Sequence, residues 1–379
     1  MKQIITWLCT TILFINILLT SCSSSTIASE TEKSTDLSPT DLPTFTLVPT
    51  DTLSPTPTVI RTPPSLPLLF QTPNLGAHVK PHNYIQDACQ YLKLKWDPEK
   101  SEPGTFAMVI MFHSIVKVEG EITDANQITL KNFKKMMVEL KNQGFEAINT
   151  EQLANFLESN AWIPPRSVLL LVDDRHYAQY FNTRFRKYWE DWGWLVVNAW
   201  ISHPDTLEVL WAEMEALAAE GWVDFQAHGV IHNTPISNNS TDEYVINELQ
   251  GSIAAIQEHF NKRPIAIIWP GGGFTPRAAQ LARQSGYRLG FTINPRGPLM
   301  FNWIPLAVQK DPDHPLLIPE GPVGDPLMVL PRYWPSQVLS VLDEVRVMGK
   351  EAAAYSEQNR QVEFEFYEIL CVHIYGPIR

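Results

Sequence analysis

The stretch Ser167-Val-Leu-Leu-Leu-Val-Asp173-Asp174 is a continuous apolar run that ends in two adjacent aspartates. Such a run is typical of a strand buried on both faces, as in a parallel sheet. The run Phe106-Ala-Met-Val-Ile-Met-Phe112 has the same character and is followed by His113. The sequence therefore predicts two buried strands, each with polar residues directly after it.

Strand and helix patterns alternate along the body of the chain. Apolar residues recur at helical spacing over 130–140, and further strands are predicted at 194–201, 222–227, 265–269 and 289–293. Repeated βα units build a parallel sheet, and this number of them predicts an α/β fold that closes into a deformed (β/α) barrel. Active sites of such barrels lie at the carboxyl ends of the strands.

Two histidines, His228 and His232, follow the strand predicted at 222–227. Residues four apart share a face, so both rings can reach one ion. A carboxylate and two imidazoles suit a divalent metal with open positions for water, and the second aspartate remains to take a proton from that water. The pattern predicts a metal-dependent hydrolase. Each motif also has a structural alternative: the two aspartates cap a following helix, and the two histidines are a pair of surface imidazoles.

Two further motifs lie at the ends of predicted strands. His113 is interpreted as the general acid, with a structural histidine as the alternative. The motif Trp269-Pro270-Gly271-Gly-Gly-Phe274 is either a plain turn or a substrate contact. In the second case its glycines let backbone approach a bulky substrate, and Trp269 or Phe274 stacks on a sugar face.

These motifs resemble those of the NodB-homology polysaccharide deacetylases, over about residues 105–338. The subgroup that acts on poly-β-1,6-N-acetylglucosamine is the most similar. The Asp173-Asp174 pair takes the place of the family's Thr-Phe-Asp-Asp-Gly motif, and His228-Gly-Val-Ile-His232 that of its His-Ser/Thr-x-x-His motif. The resemblance implies that Asp173 is the base and that Asp174, His228 and His232 are metal ligands. Phe112-His113 fits the Tyr-His pair that supplies the subgroup's acid.

The resemblance also implies a cofactor and a substrate. The cofactor is Zn²⁺, with Co²⁺ or Ni²⁺ as alternatives, and it polarises the acetamide carbonyl and acidifies bound water. The substrate is an acetylated amino-sugar polymer of the cell surface. The expected substrate-binding residues are Arg175, Trp269, Pro270, Gly271 and Phe274.

Three positions depart from the family pattern. Arg175 replaces the glycine after the aspartate pair, and it either binds an anionic group of the substrate or blocks the mouth. Gly229 replaces a serine or threonine, and Gly271 replaces a tyrosine. Two other functions therefore remain open beside the N-deacetylase. One is a catalytically silent carbohydrate-binding lipoprotein, and the other is a metal-dependent esterase or amidase with a non-carbohydrate substrate.

The N-terminal sequence predicts where in the cell the protein is located. Residues 1–21 have the character of a signal peptide, and Leu19-Thr-Ser-Cys22 resembles a bacterial lipobox whose cysteine is lipidated. An uncleaved signal anchor is the alternative. Residues 22–73 are rich in Ser, Thr and Pro and predict an extended tether. We expect an extracytoplasmic domain, anchored by lipid to the bacterial cell membrane.

The remaining composition sets further limits. A formal net charge of −12 argues against a nucleic-acid partner.

We divide the body into a lead-in at 74–104, the deacetylase-like domain at 105–338 and an extension at 339–379 of unknown role. In the extension, 340–360 predicts a helix and Val362-Glu-Phe-Glu-Phe-Tyr367 an edge strand. Cys89 and Cys371 can pair in an oxidising compartment, a point that the sequence leaves open.

Overall fold

The computed structural model describes residues 61–118, 122, 124–232 and 234–378. The predicted signal peptide, the lipidation site at Cys22 and the tether as far as residue 60 lie outside the described residues. Within the described ranges, no helix is both long enough and apolar enough to cross a bilayer.

Strands and helices alternate in the described chain. The strands are β1 (Val79–His82), β2 (Phe106–Phe112), β3 (Ser114–Val116), β4 (Gln127–Thr129), β5 (Glu146–Ala147), β6 (Arg166–Val172), β7 (Val196–Trp200), β8 (Val223–Ala227), β9 (Ala266–Ile268), β10 (Leu289–Phe291), β11 (Leu299–Met300) and β12 (Ile304–Ala307). The helices are α1 (Ala88–Lys95), α2 (Leu130–Asn142), α3 (Thr150–Ser159), α4 (Ala178–Arg184), α5 (Arg186–Trp192), α6 (Glu208–Ala219), α7 (Asp242–Phe260), α8 (Pro276–Gln284), α9 (Val338–Leu370) and α10 (Val372–Tyr375).

The main sheet has the order β10-β9-β8-β7-β6-β2-β11, with β5 beside β6. Its strands from β10 to β2 are parallel, and β11 is antiparallel to β2. The sheet curls into a half-barrel. Residues 330–333 lie across its open side, because Leu330 bridges Phe291 and Tyr333 bridges Ile110. The predicted deformed (β/α) barrel is confirmed.

The register of β2 against β6 positions the candidate residues. Phe106 pairs with Arg166, and the pairing continues to Phe112 and Val172. Both strands therefore end at the same level, and the Asp173 N–H donates to the Phe112 carbonyl at 2.7 Å. All seven residues of β2 are buried, as expected for a central strand with helices on its outer face.

Helix α2 shows how the sequence builds the outer layer. It begins at Leu130, after the Thr129 hydroxyl accepts from the Asn132 N–H at 3.0 Å, as an N-cap does. Its apolar face is buried, and Phe133 makes an edge contact with Phe112 of β2 at 5.6 Å between ring centroids. Burial of such a side chain stabilises the fold by about 1.5–3 kcal/mol.

The edge strand predicted at residues 362–367 is wrong, because this segment belongs to helix α9. Glu363 and Tyr367 are four residues apart and are both buried on one side of the helix. The Glu363 carboxylate is paired with Lys95, whose Nζ lies 2.8 Å from both oxygens, and it accepts from Trp96 Nε1 at 2.6 Å. The acidic residue was therefore on the buried face of a helix and not on the solvent face of a strand.

The lead-in segment is joined to α9. A disulfide connects Cys89 of α1 with Cys371 at the end of α9. Part of the predicted tether also packs here, because Trp303 Nε1 donates to the Phe70 carbonyl at 2.9 Å and the Tyr355 hydroxyl donates to the Leu68 carbonyl at 2.7 Å. Residues 68 and 70 of the segment predicted as a tether therefore lie against the folded domain.

Candidate active site

The residues predicted to be catalytic or metal-binding lie together at the carboxyl ends of three strands. His113 follows β2, Asp173 and Asp174 follow β6, and His228 follows β8. His232 lies in the loop after His228. The carboxyl ends of parallel strands meet at one edge of a sheet, which explains how residues far apart in the chain come together.

Asp174, His228 and His232 form a candidate metal centre. Each offers one ligand atom, and these atoms all lie within 4.8 Å of one another. The Nε2 atom of His228 is 4.0 Å from Asp174 Oδ1, and the two imidazole centroids are 4.2 Å apart. One carboxylate and two imidazoles fit a divalent ion such as Zn²⁺, Co²⁺ or Ni²⁺, and do not select among these ions.

Both imidazoles are in a state that allows a ring nitrogen to bind a metal ion. Burial is the main cause that lowers the pKa of His228, to about 4, against the opposing effect of Asp173. The Nδ1 atom of His228 lies 2.8 Å from the Ile268 carbonyl, which assigns the proton to Nδ1 and leaves the Nε2 lone pair free. His232 Nε2 is buried without a hydrogen-bond partner among the described residues. A buried nitrogen in this state requires a partner, and a metal ion supplies one.

The backbone at two of the ligands has an unusual conformation. Asp174 has a φ of 69° and His232 has a φ of 56°. The other non-glycine residues with positive φ in the described ranges are all asparagines, which adopt this conformation more readily than most residues. Local strain of this kind persists only where the surrounding structure holds it, and it concentrates at functional sites.

Glu248 of α7 holds the loop that carries His232. Its carboxylate accepts from the backbone N–H of Val230 at 2.8 Å and of Ile231 at 3.0 Å, with a longer contact of 3.4 Å to that of His232. The side chain is buried at 2% exposure. A buried carboxylate that accepts several N–H donors fixes the position of the loop.

The glycines that depart from the family pattern lie where a side chain has no room. A Cβ at Gly229 would lie 2.4 Å from Glu248 Oε2, and φ there is +83°. A Cβ at Gly271 would lie 2.8 Å from Pro235 Cγ, and φ there is +57°. Gly229 therefore leaves the space that Glu248 occupies, and Gly271 lets the loop pass close to Pro235.

Asp173 is a buried and ionised carboxylate. Its Oδ1 accepts from Arg332 Nη1 at 2.6 Å, and its Oδ2 lies 3.5 Å from His113 Nε2. Burial by itself raises the pKa of Asp173, but the charges of Arg332, His113 and His228 outweigh it and lower the pKa to about 2. The carboxylate is therefore free of a proton at neutral pH and can accept one.

His113 is held on three sides. Its ring is stacked against that of Trp334, with centroids 6.1 Å apart and planes at 15°. Its carbonyl accepts from His176 Nε2 and lies 3.5 Å from the Tyr180 hydroxyl. Because His113 Nε2 lies near Asp173, the imidazole is on the same side of the site as this carboxylate and is placed for proton transfer there.

The predicted substrate-binding residues are only partly accessible. Trp269 is fully buried, and its Nε1 donates to the Met328 carbonyl at 2.8 Å. Phe274 is 3% exposed, so neither ring offers a face to a sugar, and the expected stacking is not possible in this conformation. Pro270 is also buried, whereas Gly271 is exposed. Arg175 is half-buried and makes no hydrogen bond or ion pair with any described residue.

Three residues of the site were missed by the sequence analysis: Arg332, Trp334 and Glu248. Arg332 is a cation inside the apolar stretch Met328-Val-Leu-Pro-Arg-Tyr-Trp334, and a charge in such a stretch signals a buried partner. Glu248 falls on the apolar face of α7, and this was a similar signal. Neither signal identifies the partner.

Comparisons with known proteins agree with this architecture. Residues 164–290, about a third of the chain, match the family model described as polysaccharide deacetylase. The match includes the aspartate pair and both metal-site histidines, whereas His113 and Arg332 lie outside it. No curated protein matches the chain in sequence.

The chain also aligns with several solved structures at low sequence identity. The deacetylase PplD of Streptococcus pyogenes, in complex with acetate, has a TM-score of 0.50 and 19% identity, covering 64% of this chain and 99% of that chain. IcaB from Ammonifex degensii has a TM-score of 0.47 and 14% identity, covering 64% and 98%. The deacetylase domain of BpsB from Bordetella bronchiseptica has a TM-score of 0.43 and 18% identity, covering 62% and 97%.

The half-barrel fold and the family match over residues 164–290 make this chain similar to polysaccharide deacetylases of the NodB type. The site at its strand ends has the residue types that the motifs predicted.

Proposed function

We propose that this domain hydrolyses N-acetyl groups of an acetylated amino-sugar polymer in a metal-dependent reaction. One observation carries the proposal. The buried carboxylate of Asp173 lies between Arg332 and His113, beside the Asp174, His228 and His232 set. A base, an acid and a metal-binding set within one site are the groups that amide hydrolysis requires.

Each residue has one role in this reaction. Asp174, His228 and His232 hold a divalent ion, which when bound polarises the acetamide carbonyl and acidifies water. Asp173 takes the proton of the attacking water, and its low pKa makes it a weak base that requires acidified water. His113 donates a proton to the nitrogen as the C–N bond breaks. The products are acetate and a free amine.

Within this class we assign the substrate to cell-surface polymers of N-acetylglucosamine, and among them to the β-1,6-linked polymer. The support is the pair Phe112-His113, which stands where the poly-β-1,6-N-acetylglucosamine deacetylases have Tyr-His. The placement of His113 Nε2 at 3.5 Å from Asp173 is consistent with the role of an acid.

Acetate release tests the proposal. Residues 23–379 are incubated with N-acetylglucosamine oligomers in the presence of Zn²⁺, Co²⁺, Ni²⁺ or a chelator. Asp173→Asn is compared with Asp205→Asn, an aspartate whose side chain is 88% exposed. We expect metal-dependent release that is lost in Asp173→Asn and kept in Asp205→Asn. Equal activity of the two variants would contradict the role of Asp173.

Arg175→Gly distinguishes the enzyme from a silent carbohydrate-binding protein. If the wild type binds metal and sugar but releases no acetate, and Arg175→Gly restores release, the arginine blocks the mouth. Release of aryl acetate without release from sugars would favour a general esterase.

We also propose that Cys22 is lipidated and anchors the domain outside the cytoplasm. The support is the lipobox-like sequence Leu19-Thr-Ser-Cys22. In bacteria fed a labelled fatty acid, the wild type should carry label in the membrane fraction, and Cys22→Ser should not. Label retained by Cys22→Ser would refute this assignment.

A further inference from the structure

A cavity of about 620 Å³ lies next to the active site. This volume is within the range of small-molecule pockets. The residues of its lining that bear on its chemistry are Ala125, Arg296, Asp311, Asp313, Trp334 and Gln337.

Two segments connect this cavity to His113. Trp334 lines the cavity and is also stacked on the His113 ring. Backbone hydrogen bonds hold the neighbouring Tyr333 to β2, since its N–H donates to Val109 at 2.7 Å and its carbonyl accepts from Met111 at 3.1 Å. The position of Trp334 is therefore set by the same strand that ends at His113.

The second connection is made through β3 and β4. The N–H of Ser114, the residue after His113, donates to the Asn126 carbonyl at 3.1 Å. Ala125, next to Asn126, lines the cavity. Both elements that flank the proposed acid thus continue into the wall of the cavity, which places the cavity beside His113.

The lining has the groups that bind a sugar. Trp334 is half-buried and provides an aromatic surface, the kind of surface on which sugar rings stack. Arg296 is buried with a side-chain exposure of 5%, and its Nε donates to Glu320 at 3.0 Å. The terminal nitrogens of Arg296 make no hydrogen bond with the described residues, so they are available to sugar oxygens.

The charged side chains at the cavity limit the charge of the sugars that it can bind. Glu320 is fully buried and offsets the charge of Arg296. The Asp311 carboxylate accepts from His314 Nδ1 at 2.9 Å and from the Asp313 N–H at 2.9 Å. Asp311 and Asp313 leave an excess of negative charge, which disfavours uronic acids and other anionic sugars.

We propose that this cavity is a second sugar subsite, which binds the neutral or cationic unit of the polymer next to the unit being deacetylated. The inference rests on the proposed function for its polymer substrate. It makes affinity depend on chain length, because a single sugar cannot occupy both positions.

A bulky side chain at the cavity wall tests the subsite. Ala125→Trp adds a bulky ring at an exposed position of the cavity wall, and the matched control is Ala212→Trp on the exposed side of α6. Both are made in Asp173→Asn of residues 23–379, and binding of N-acetylglucosamine oligomers of one to six units is measured by calorimetry. Gln337→Ala, a smaller change in the same lining, is a second variant that does not add bulk.

We expect oligomers to bind Ala125→Trp about tenfold more weakly than Ala212→Trp, from the loss of one stacking contact and its hydrogen bonds. Monosaccharide binding should be the same in both, and Gln337→Ala should weaken oligomer binding about threefold. Equal oligomer affinities in all variants would overturn the subsite, and tight binding of uronic-acid oligomers would overturn its charge selectivity. The binding measurement is independent of turnover. If the wild type released no acetate while this pattern held, the proposed function would fail and the subsite would stand.

Discussion

Replacing Gly229 by alanine tests whether Glu248 holds the metal-binding loop. The new Cβ would lie 2.4 Å from Glu248 Oε2 and 3.0 Å from Pro270 Cγ. The carboxylate is the end of a flexible side chain, so it moves away and loses its N–H donors. The matched control is Gly221→Ala, because Gly221 has a φ of +81° and no atom within 4 Å of the added Cβ.

Two contributions to the loss of stability in Gly229→Ala can be separated. Alanine in the left-handed conformation costs about 1–2 kcal/mol at either position. At Gly229 the loss of one or two hydrogen bonds to a charged carboxylate adds about 2–4 kcal/mol. Displacement of the loop also moves His232, and loss of a partner that orients a ligand typically lowers metal affinity by about 10–100-fold.

Calorimetry measures both quantities. Thermal unfolding is recorded in metal-free buffer, where Gly229→Ala should melt about 4–8 °C below Gly221→Ala. Titration with Zn²⁺ should show the weaker affinity in Gly229→Ala alone. If the two variants melt together and bind Zn²⁺ equally, Glu248 does not hold the loop and the reasoning is refuted.

Three further outcomes follow from the described contacts. Arg332→Met removes the main charge that opposes the effect of burial on Asp173, so the pKa of this carboxyl rises and the acid limb of the acetate-release profile moves to higher pH; an unmoved limb would contradict this. In the wild type the same pair stabilises the fold above about pH 4, and this contribution is lost as the pH falls towards 2. Replacing Cys89 and Cys371 by serine should lower the free energy of unfolding under oxidising conditions by about 2–4 kcal/mol without changing kcat/KM, as denaturant titration and acetate release would show. The reason is that this disulfide joins α1 to α9 in a hydrophobic cluster separate from the main core; unchanged stability would contradict that role.

Local patterns were sufficient for the architecture and for most of the site. The apolar runs at β2 and β6 identified strands because burial on both faces requires continuous apolar sequence. The rule that active sites lie at the carboxyl ends of parallel strands then placed His113, the aspartate pair and His228 at one edge. These inferences depend only on residues near one another in the chain, which is why the sequence alone supported them.

The partners of buried charges were decided by the tertiary structure. Arg332 reaches Asp173 across 159 positions of sequence, and Glu363 is neutralised by Lys95 across 268 positions. The sequence shows that such residues are charged, but not that they are buried or paired. The strand predicted at 362–367 was wrong for this reason, since the alternation of residue types does not show that Glu363 is buried and paired.

The accessibility of the aromatic rings was likewise decided by packing. One of the two interpretations of the motif at Trp269 was a substrate contact, yet its ring is enclosed, whereas Trp334 lies beside His113. The sequence determined the parallel strands of the main sheet, several of its helices and the residue types at the strand ends, because these follow from local periodicity. The partner of each buried charge and the aromatic ring that lies beside His113 were decided only when distant segments packed, because burial depends on contacts that the local chain does not contain.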